Sequence, residues 1–169
     1  MTVTIRRATA SDNDEIARLC WAYRALLVER SKGLPPVVDA YYATDSYGAM
    51  IADLPRIHAR PKGDILLAML EGNVVGCAMY YPLKTPGDTE IKRVFVDPVA
   101  RGTGAGRALM EAAIQGAHTD GYTRAVLDTI APLREAITLY ERLGFRPCAP
   151  FYDPDPDFAP HLRFFEHPL

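Results

Sequence analysis

The chain has 169 residues, a formal net charge of −2 at neutral pH and a pI near 6.1. Its 49% apolar and 24% charged residues are ordinary globular usage, so residues 1–169 are expected to form a single domain with a sizeable core. That balance gives no broad attraction to nucleic acid or to an anionic membrane, and no apolar run of about 18 residues exists; neither partner is expected, and a soluble cytoplasmic protein is the default.

Val3–Arg7 alternates as a strand, and Ser11 with Asp14 is expected to cap a helix whose Ile16, Leu19, Cys20, Tyr23, Leu26 and Leu27 share one face. Residues 31–63 are punctuated by Pro35, Pro36, Pro55 and Pro61, with room for a short helix between the prolines, and contain Tyr41, Tyr42 and Tyr47. Asp64–Leu70 and Val74–Tyr81, joined by Glu71-Gly72-Asn73, read as a hairpin. It leads through Pro86-Gly87 into a strand at Thr89–Val96. Period-two alternation places Glu90, Lys92, Val94 and Val96 on one face of that strand and Ile91, Arg93 and Phe95 on the other.

The next segment, Arg101-Gly102-Thr103-Gly104-Ala105-Gly106-Arg107, opens a helix expected to run to about Ala117. The start of a helix leaves its first N–H groups without acceptors and carries positive partial charge, so glycines that let an anion come close make a phosphate seat. The nucleotide P-loop does not fit, because Gly106 is followed by Arg107 and Ala108, and neither does G-x-G-x-x-G, because the glycines alternate. Arg101 and Arg107 add a local basic patch sized for phosphates. A strand at Arg124–Ile130 follows, then a helix after Pro132 on which Leu133, Ala136, Ile137 and Tyr140 share a face, with Gly144 as its C-terminal cap. Further strands are expected near Phe145 and at Leu162–Phe165. Cys20, Cys77 and Cys148 are odd in number and widely spaced, the four histidines are scattered, and no C-x-x-C or H-E-x-x-H occurs, so free thiols and no metal are expected.

Arg101–Gly106 resembles the R-x-x-G-x-G signature of the GCN5-related N-acetyltransferase (GNAT) superfamily, and Ala136, Tyr140, Gly144 and Phe145 resemble its A-x-x-x-Y-x-x-x-G-F ending. The resemblance implies an α/β (α+β) fold: a mixed, mostly antiparallel sheet of about seven strands, about four flanking helices, and a V-shaped splay between the fourth and fifth strands. It implies acetyl-coenzyme A as donor, its pyrophosphate on the main chain of Arg101, Gly102, Thr103, Gly104, Ala105, Gly106 and Arg107. The acyl-pantetheine would enter the splay along Val94, Phe95 and Val96, an N–H of Phe95 or Val96 polarising the thioester carbonyl. Many relatives carry Asn where this chain has Leu133, so the arm is expected to rest on backbone groups, on Leu133 and Ala136, or on Thr129.

By the same resemblance Tyr140 is the general acid for the departing sulfur and Glu90 the candidate base for the acceptor amine. Tyr41 and Tyr42 become candidates for acceptor contact, and Arg93 a partner for an acceptor carboxylate or for a structural acid such as Asp128. The implied activity is direct acetyl transfer, in a ternary complex, to a primary amine of a small or amino-acid-like molecule. A protein lysine or N-terminus as acceptor, and a non-catalytic acyl-coenzyme A-binding module, are the alternatives. Dimers are common among relatives, so the resemblance allows a homodimer, while the sequence leaves the oligomeric state open.

Overall fold

The computed structural model describes residues 2–36, 38 and 41–169. Seven strands form one sheet: β1 (Val3–Arg7), β2 (Asp64–Leu70), β3 (Asn73–Pro82), β4 (Asp88–Val96), β5 (Arg124–Ile130), β6 (Arg146–Pro147) and β7 (Leu162–Pro168). Their spatial order is β1-β2-β3-β4-β5-β7-β6. Among the described residues four α-helices flank the sheet: α1 (Asn13–Arg30), α2 (Thr44–Ile57), α3 (Ala105–Thr119) and α4 (Arg134–Arg142). β4 and β5 are the parallel neighbours, and a parallel pair needs a crossover, which the loop and α3 supply. This is the mixed, mostly antiparallel architecture expected from the sequence.

Both faces of the sheet are covered, which is why β2 and β3 read as nearly continuous apolar runs. On one face Leu109, Met110 and Ala113 of α3 pack with Ala68, Ala78, Ile91 and Leu127. On the other, Leu19 and Cys20 of α1 and Leu54 of α2 pack with Leu67, Cys77, Met79 and Phe95. The β2–β3 hairpin closes through Glu71 and Gly72, both at positive φ (50° and 82°), the geometry a two-residue turn needs to follow the strand twist. Among the described residues no helix is long and apolar enough to cross a membrane, and no group of His, Cys, Asp and Glu side chains is arranged to hold a metal.

Three local expectations are corrected. The N-terminal cap of the first helical segment is a Thr9–Asp12 box rather than Ser11 with Asp14: the Thr9 N–H donates to the Asp12 carboxylate at 2.7 Å, and Arg6 of β1 grips the same carboxylate with two N–H bonds of 2.8 and 2.7 Å. A 3-10 turn at Ala10–Asp12 therefore precedes α1. α2 runs through Pro55 instead of stopping before it, because a proline in the last turn forfeits a single helix bond.

The third correction shapes the site. β3 and β4 pair Cys77 with Phe95 but Met79 with Lys92, so β4 holds one residue too many, and Arg93 takes φ 54°. This β-bulge resets the alternation. Ile91, Val94 and Val96 all pack on the α3 face while Phe95 turns to the α1 face, unlike the two-face reading of an unbroken strand.

His58, at the end of α2, is 3% exposed; its Nδ1 donates to the Tyr80 carbonyl at 2.9 Å and its ring stands edge-on to Tyr81. Burial pushes its pKa down to about 4, with Arg93 and Lys92 adding to the shift against the pull of the carbonyl. Because the unfolded chain then binds a proton that the folded chain refuses, stability falls as pH drops below the ordinary histidine value near 6.5. Between pH 7 and 5 this group should cost about 2 kcal/mol. Urea unfolding at the two pH values should show His58→Gln losing less stability than wild type by about that amount; equal losses would contradict it.

Candidate active site

β4 and β5 pair only at Asp88–Arg124, Thr89–Ala125 and Glu90–Val126. Beyond Glu90 the strands diverge, leaving the β5-facing edge of Ile91–Val96 without ladder partners. A cavity of about 480 Å³ opens here, lined by Lys92, Arg93 and Val94 of β4 and by Asp128, Thr129 and Ile130 of β5. Tyr140 of α4 also lines it, and tyrosines including Tyr23, Tyr41, Tyr42, Tyr47 and Tyr152 complete its wall.

The glycine loop leads from the end of β4 into α3. Gly102 and Gly104 take φ values of 79° and 86°, and a Cβ at either would meet no protein atom within 4 Å, so the loop's outer side is open space. Gly104 is the N-cap of α3, and the first backbone bond of the helix runs from the Ala108 N–H to the Gly104 carbonyl at 3.0 Å. The N–H groups of Ala105, Gly106 and Arg107 consequently have no acceptor within the helix. Thr103 turns its hydroxyl inward to the Ala100 carbonyl at 2.6 Å. Arg107 is exposed and paired with Glu111 at 2.7 Å, whereas exposed Arg101 has no ion-pair partner among the described residues. Free amides, an open glycine cradle and an unpaired strand edge in one line fit a diphosphate with a long thioester arm.

Tyr140 is 6% exposed, its ring held between Phe145 and Phe165, and its hydroxyl has no hydrogen-bond partner among the described residues. Burial, reinforced by the nearby Asp128 carboxylate, raises its pKa above the usual phenol value. It therefore stays a proton donor at neutral pH. Thr129 lines the cavity, while Leu133 is buried with Ile130 and Phe158, and Ala136 packs against both neighbouring clusters. Phe95 sends its side chain to Tyr23 on the α1 face, leaving its main chain on the splay.

Arg93 is aimed into the cavity by the bulge. One Nη donates to the Met50 sulfur at 3.0 Å, its buried Nε has no partner, and no carboxylate pairs with it among the described residues. Glu90 is 3% exposed and lies behind the cavity lining. One oxygen accepts from the Tyr81 hydroxyl and the other lies 3.2 Å from Lys92 Nζ. Burial is the largest influence on Lys92 and lowers its pKa, but Glu90 together with Tyr42, Asp128 and Tyr81 more than offsets it and raises that pKa above the usual lysine range. Asp128 accepts from the Tyr152 hydroxyl at 2.6 Å. The sequence singled out neither Tyr152 nor Lys92; Tyr152 sits in the irregular segment between β6 and β7, where no periodicity marks a functional position.

Fold, splay and glycine loop define an acyl-group transferase architecture, and comparison with known proteins places it. The chain belongs to the acetyltransferase (GNAT) family, whose pattern residues 34–145 match. It is 37% identical over 132 residues to the IAA acetyltransferase of Azospirillum brasilense, covering 76% of this chain and 84% of that protein. An uncharacterized N-acetyltransferase of Schizosaccharomyces pombe is 37% identical over 103 residues, 60% of this chain and 63% of its own length. The N-acetylaspartate synthetase of Homo sapiens is 34% identical over 128 residues, 75% of this chain but 42% of that protein. In structure, a GNAT acetyltransferase of Staphylococcus aureus superposes with a TM-score of 0.75 at 18% identity, covering 99% of both chains. A Salmonella typhimurium protein solved with its cofactor acetyl-CoA superposes with a TM-score of 0.68 at 22% identity, covering 99% of this chain and 94% of the other.

Proposed function

We propose that the protein transfers an acetyl group from acetyl-coenzyme A to the primary amine of a small, carboxylate-bearing acceptor, directly within a ternary complex. The observation that carries this reading is Arg93: a guanidinium set in a strained bulge, lining the cavity beside the splay and lacking any carboxylate partner among the described residues. Leaving a half-buried cation unpaired is costly, and a ligand carboxylate would offset that cost with charge-assisted bonds. The name N-acetylaspartate synthetase, borne by a relative, is consistent with such an acceptor.

The donor supplies an activated thioester carbonyl. The amides of Ala105, Gly106 and Arg107 hold its diphosphate, and the free edge of Val94–Val96 holds its arm by backbone bonds. A main-chain N–H of Phe95 or Val96 stabilises charge on the carbonyl oxygen, and Tyr140 gives its proton to the departing sulfur. Tyr41 and Tyr42 wall the acceptor side. Glu90, locked to Tyr81 and Lys92, acts by fixing the Lys92 ammonium at the cavity wall.

The test is a thiol-release assay on a panel of primary amines with and without carboxylates, using wild type and Arg93→Ala. Carboxylate-bearing amines should be preferred, and Arg93→Ala should raise their KM about 30-fold or more with unchanged affinity for acetyl-coenzyme A. Activity confined to peptides, or an unchanged KM in the variant, would refute the reading.

A further inference from the structure

Among the described residues three charged side chains line the cavity: Lys92, Arg93 and Asp128. Lys92 is neutralised by Glu90. Among the described residues neither Arg93 nor Asp128 forms a direct ion pair, although Lys92 feels the Asp128 charge across the cavity. The same cavity therefore presents one positive group without a direct ion pair, from β4, and one negative group without a direct ion pair, from β5, across the diverging strands. That is the charge complement of a zwitterion.

We infer that the acceptor is a free α-amino acid, with Arg93 taking its carboxylate and Asp128 its ammonium. The inference rests on the acetyl-transfer reading above and assigns Asp128, rather than Glu90, as the group that touches the amine. Position favours this assignment. Asp128 lies beyond the last β4–β5 pair, on the stretch of β5 that borders the splay, and is half-buried at the cavity wall. Glu90 belongs to the closed end of the ladder and lies behind the cavity lining, with one oxygen taken by the Tyr81 hydroxyl and the other, which accepts no hydrogen bond among the described residues, 3.2 Å from Lys92 Nζ.

Asp128 is also oriented. The Tyr152 hydroxyl donates to its Oδ2 at 2.6 Å, and Oδ1 has no donor among the described residues, so one oxygen is anchored while the other is available to the cavity. Its charge is felt by Tyr23 from α1, Tyr42 from the segment before α2, Lys92 from β4, Tyr140 from α4 and Tyr152 from the β6–β7 segment. An ammonium on Asp128 thus shares the cavity with the Tyr140 hydroxyl that protonates the sulfur.

The proton balance closes with these groups alone. The ammonium gives its first proton to Asp128, which releases it to solvent. The amine nitrogen then forms the C–N bond to the acetyl carbon as the C–S bond breaks. Tyr140 protonates the leaving sulfur, and the second proton lost from nitrogen restores the phenol. Amide, free thiol and one proton are the products. Tyr152 is a positioning residue in this scheme.

The experiment uses the full chain with acetyl-coenzyme A and the 20 common amino acids. The best acceptor is then compared with its carboxamide and its decarboxylated amine, and its binding is titrated by calorimetry with coenzyme A present. Wild type should prefer the free amino acid about 100-fold or more over either analogue in kcat/KM. Asp128→Asn, nearly isosteric, should weaken calorimetric binding of the amino acid at least about tenfold and lower kcat/KM about 100-fold, with coenzyme A affinity unchanged. Its residual kcat/KM should climb about tenfold per pH unit toward the amine's own pKa, while wild type levels off earlier; Tyr152→Phe should show a smaller loss in the same direction. Wild type that acetylates other amines but not free amino acids, or Asp128→Asn with unchanged binding and a parallel pH profile, would overturn this inference and leave acetyl transfer standing. Failure to bind coenzyme A, or no thiol release with any amine, would overturn the underlying reading itself.

Discussion

Tyr140→Phe should lower kcat about 100-fold or more while leaving the affinity for acetyl-coenzyme A within about twofold. The expectation follows from what the hydroxyl does not do. It makes no hydrogen bond among the described residues, so removing it breaks no structural contact, and the ring stays held by Phe145 and Phe165. Burial and Asp128 keep its proton in place at neutral pH, which suits an acid aimed at a departing thiolate. Stopped-flow thiol release with parallel calorimetric titration separates the two quantities. Equal losses in turnover and binding would make Tyr140 a packing residue.

Gly104→Val should abolish measurable acetyl-coenzyme A binding in a protein that still folds. A branched side chain at φ 86° is strained by about 1–2 kcal/mol, small beside the roughly 5–15 kcal/mol that holds a domain together. A Cβ here meets no protein atom, so the added methyl groups project into the open space beside the free amides of α3, where the diphosphate is proposed to sit. Circular dichroism should report a native fold and calorimetry no binding. Retained affinity would remove the glycine loop from the donor site.

The parts of this molecule that were legible in the sequence are those coded by single residue types. Gly102, Gly104 and Gly144 mark positive φ, Glu71-Gly72 marks a hairpin, and the apolar faces of α1 and α4 mark the core. The count of about seven strands and the β4–β5 splay came through the resemblance carried by Arg101–Gly106 and Ala136–Phe145, since no residue near Glu90 or Val126 announces that pairing stops there. The bulge at Arg93 was hidden for a related reason: its φ of 54° belongs to a residue type that does not ordinarily signal it, so strict alternation misplaced Phe95 relative to Ile91.

The acceptor side was the least legible because it is assembled by long-range contacts. Tyr41 and Tyr42 do line the cavity, but so does Tyr152, which reaches Asp128 across 24 positions of chain. Asp128 read as a plausible structural acid for Arg93, yet the ion pair is not formed and both groups face the cavity. Glu90 carried the right chemistry for a base, but it lies behind the cavity lining, with one oxygen taken by the Tyr81 hydroxyl and the other beside the Lys92 ammonium. Charge pairing inside a fold decides which acids remain available, and pairing is invisible to composition.

The most direct test of the central claim is a crystal structure with coenzyme A and the N-acetylated product of the preferred acceptor. The account predicts diphosphate oxygens about 3 Å from the amides of Ala105 and Gly106, the coenzyme sulfur within hydrogen-bond reach of the Tyr140 hydroxyl, and the acceptor carboxylate on Arg93. A coenzyme bound away from the β4–β5 splay, or a sulfur remote from Tyr140, would contradict it.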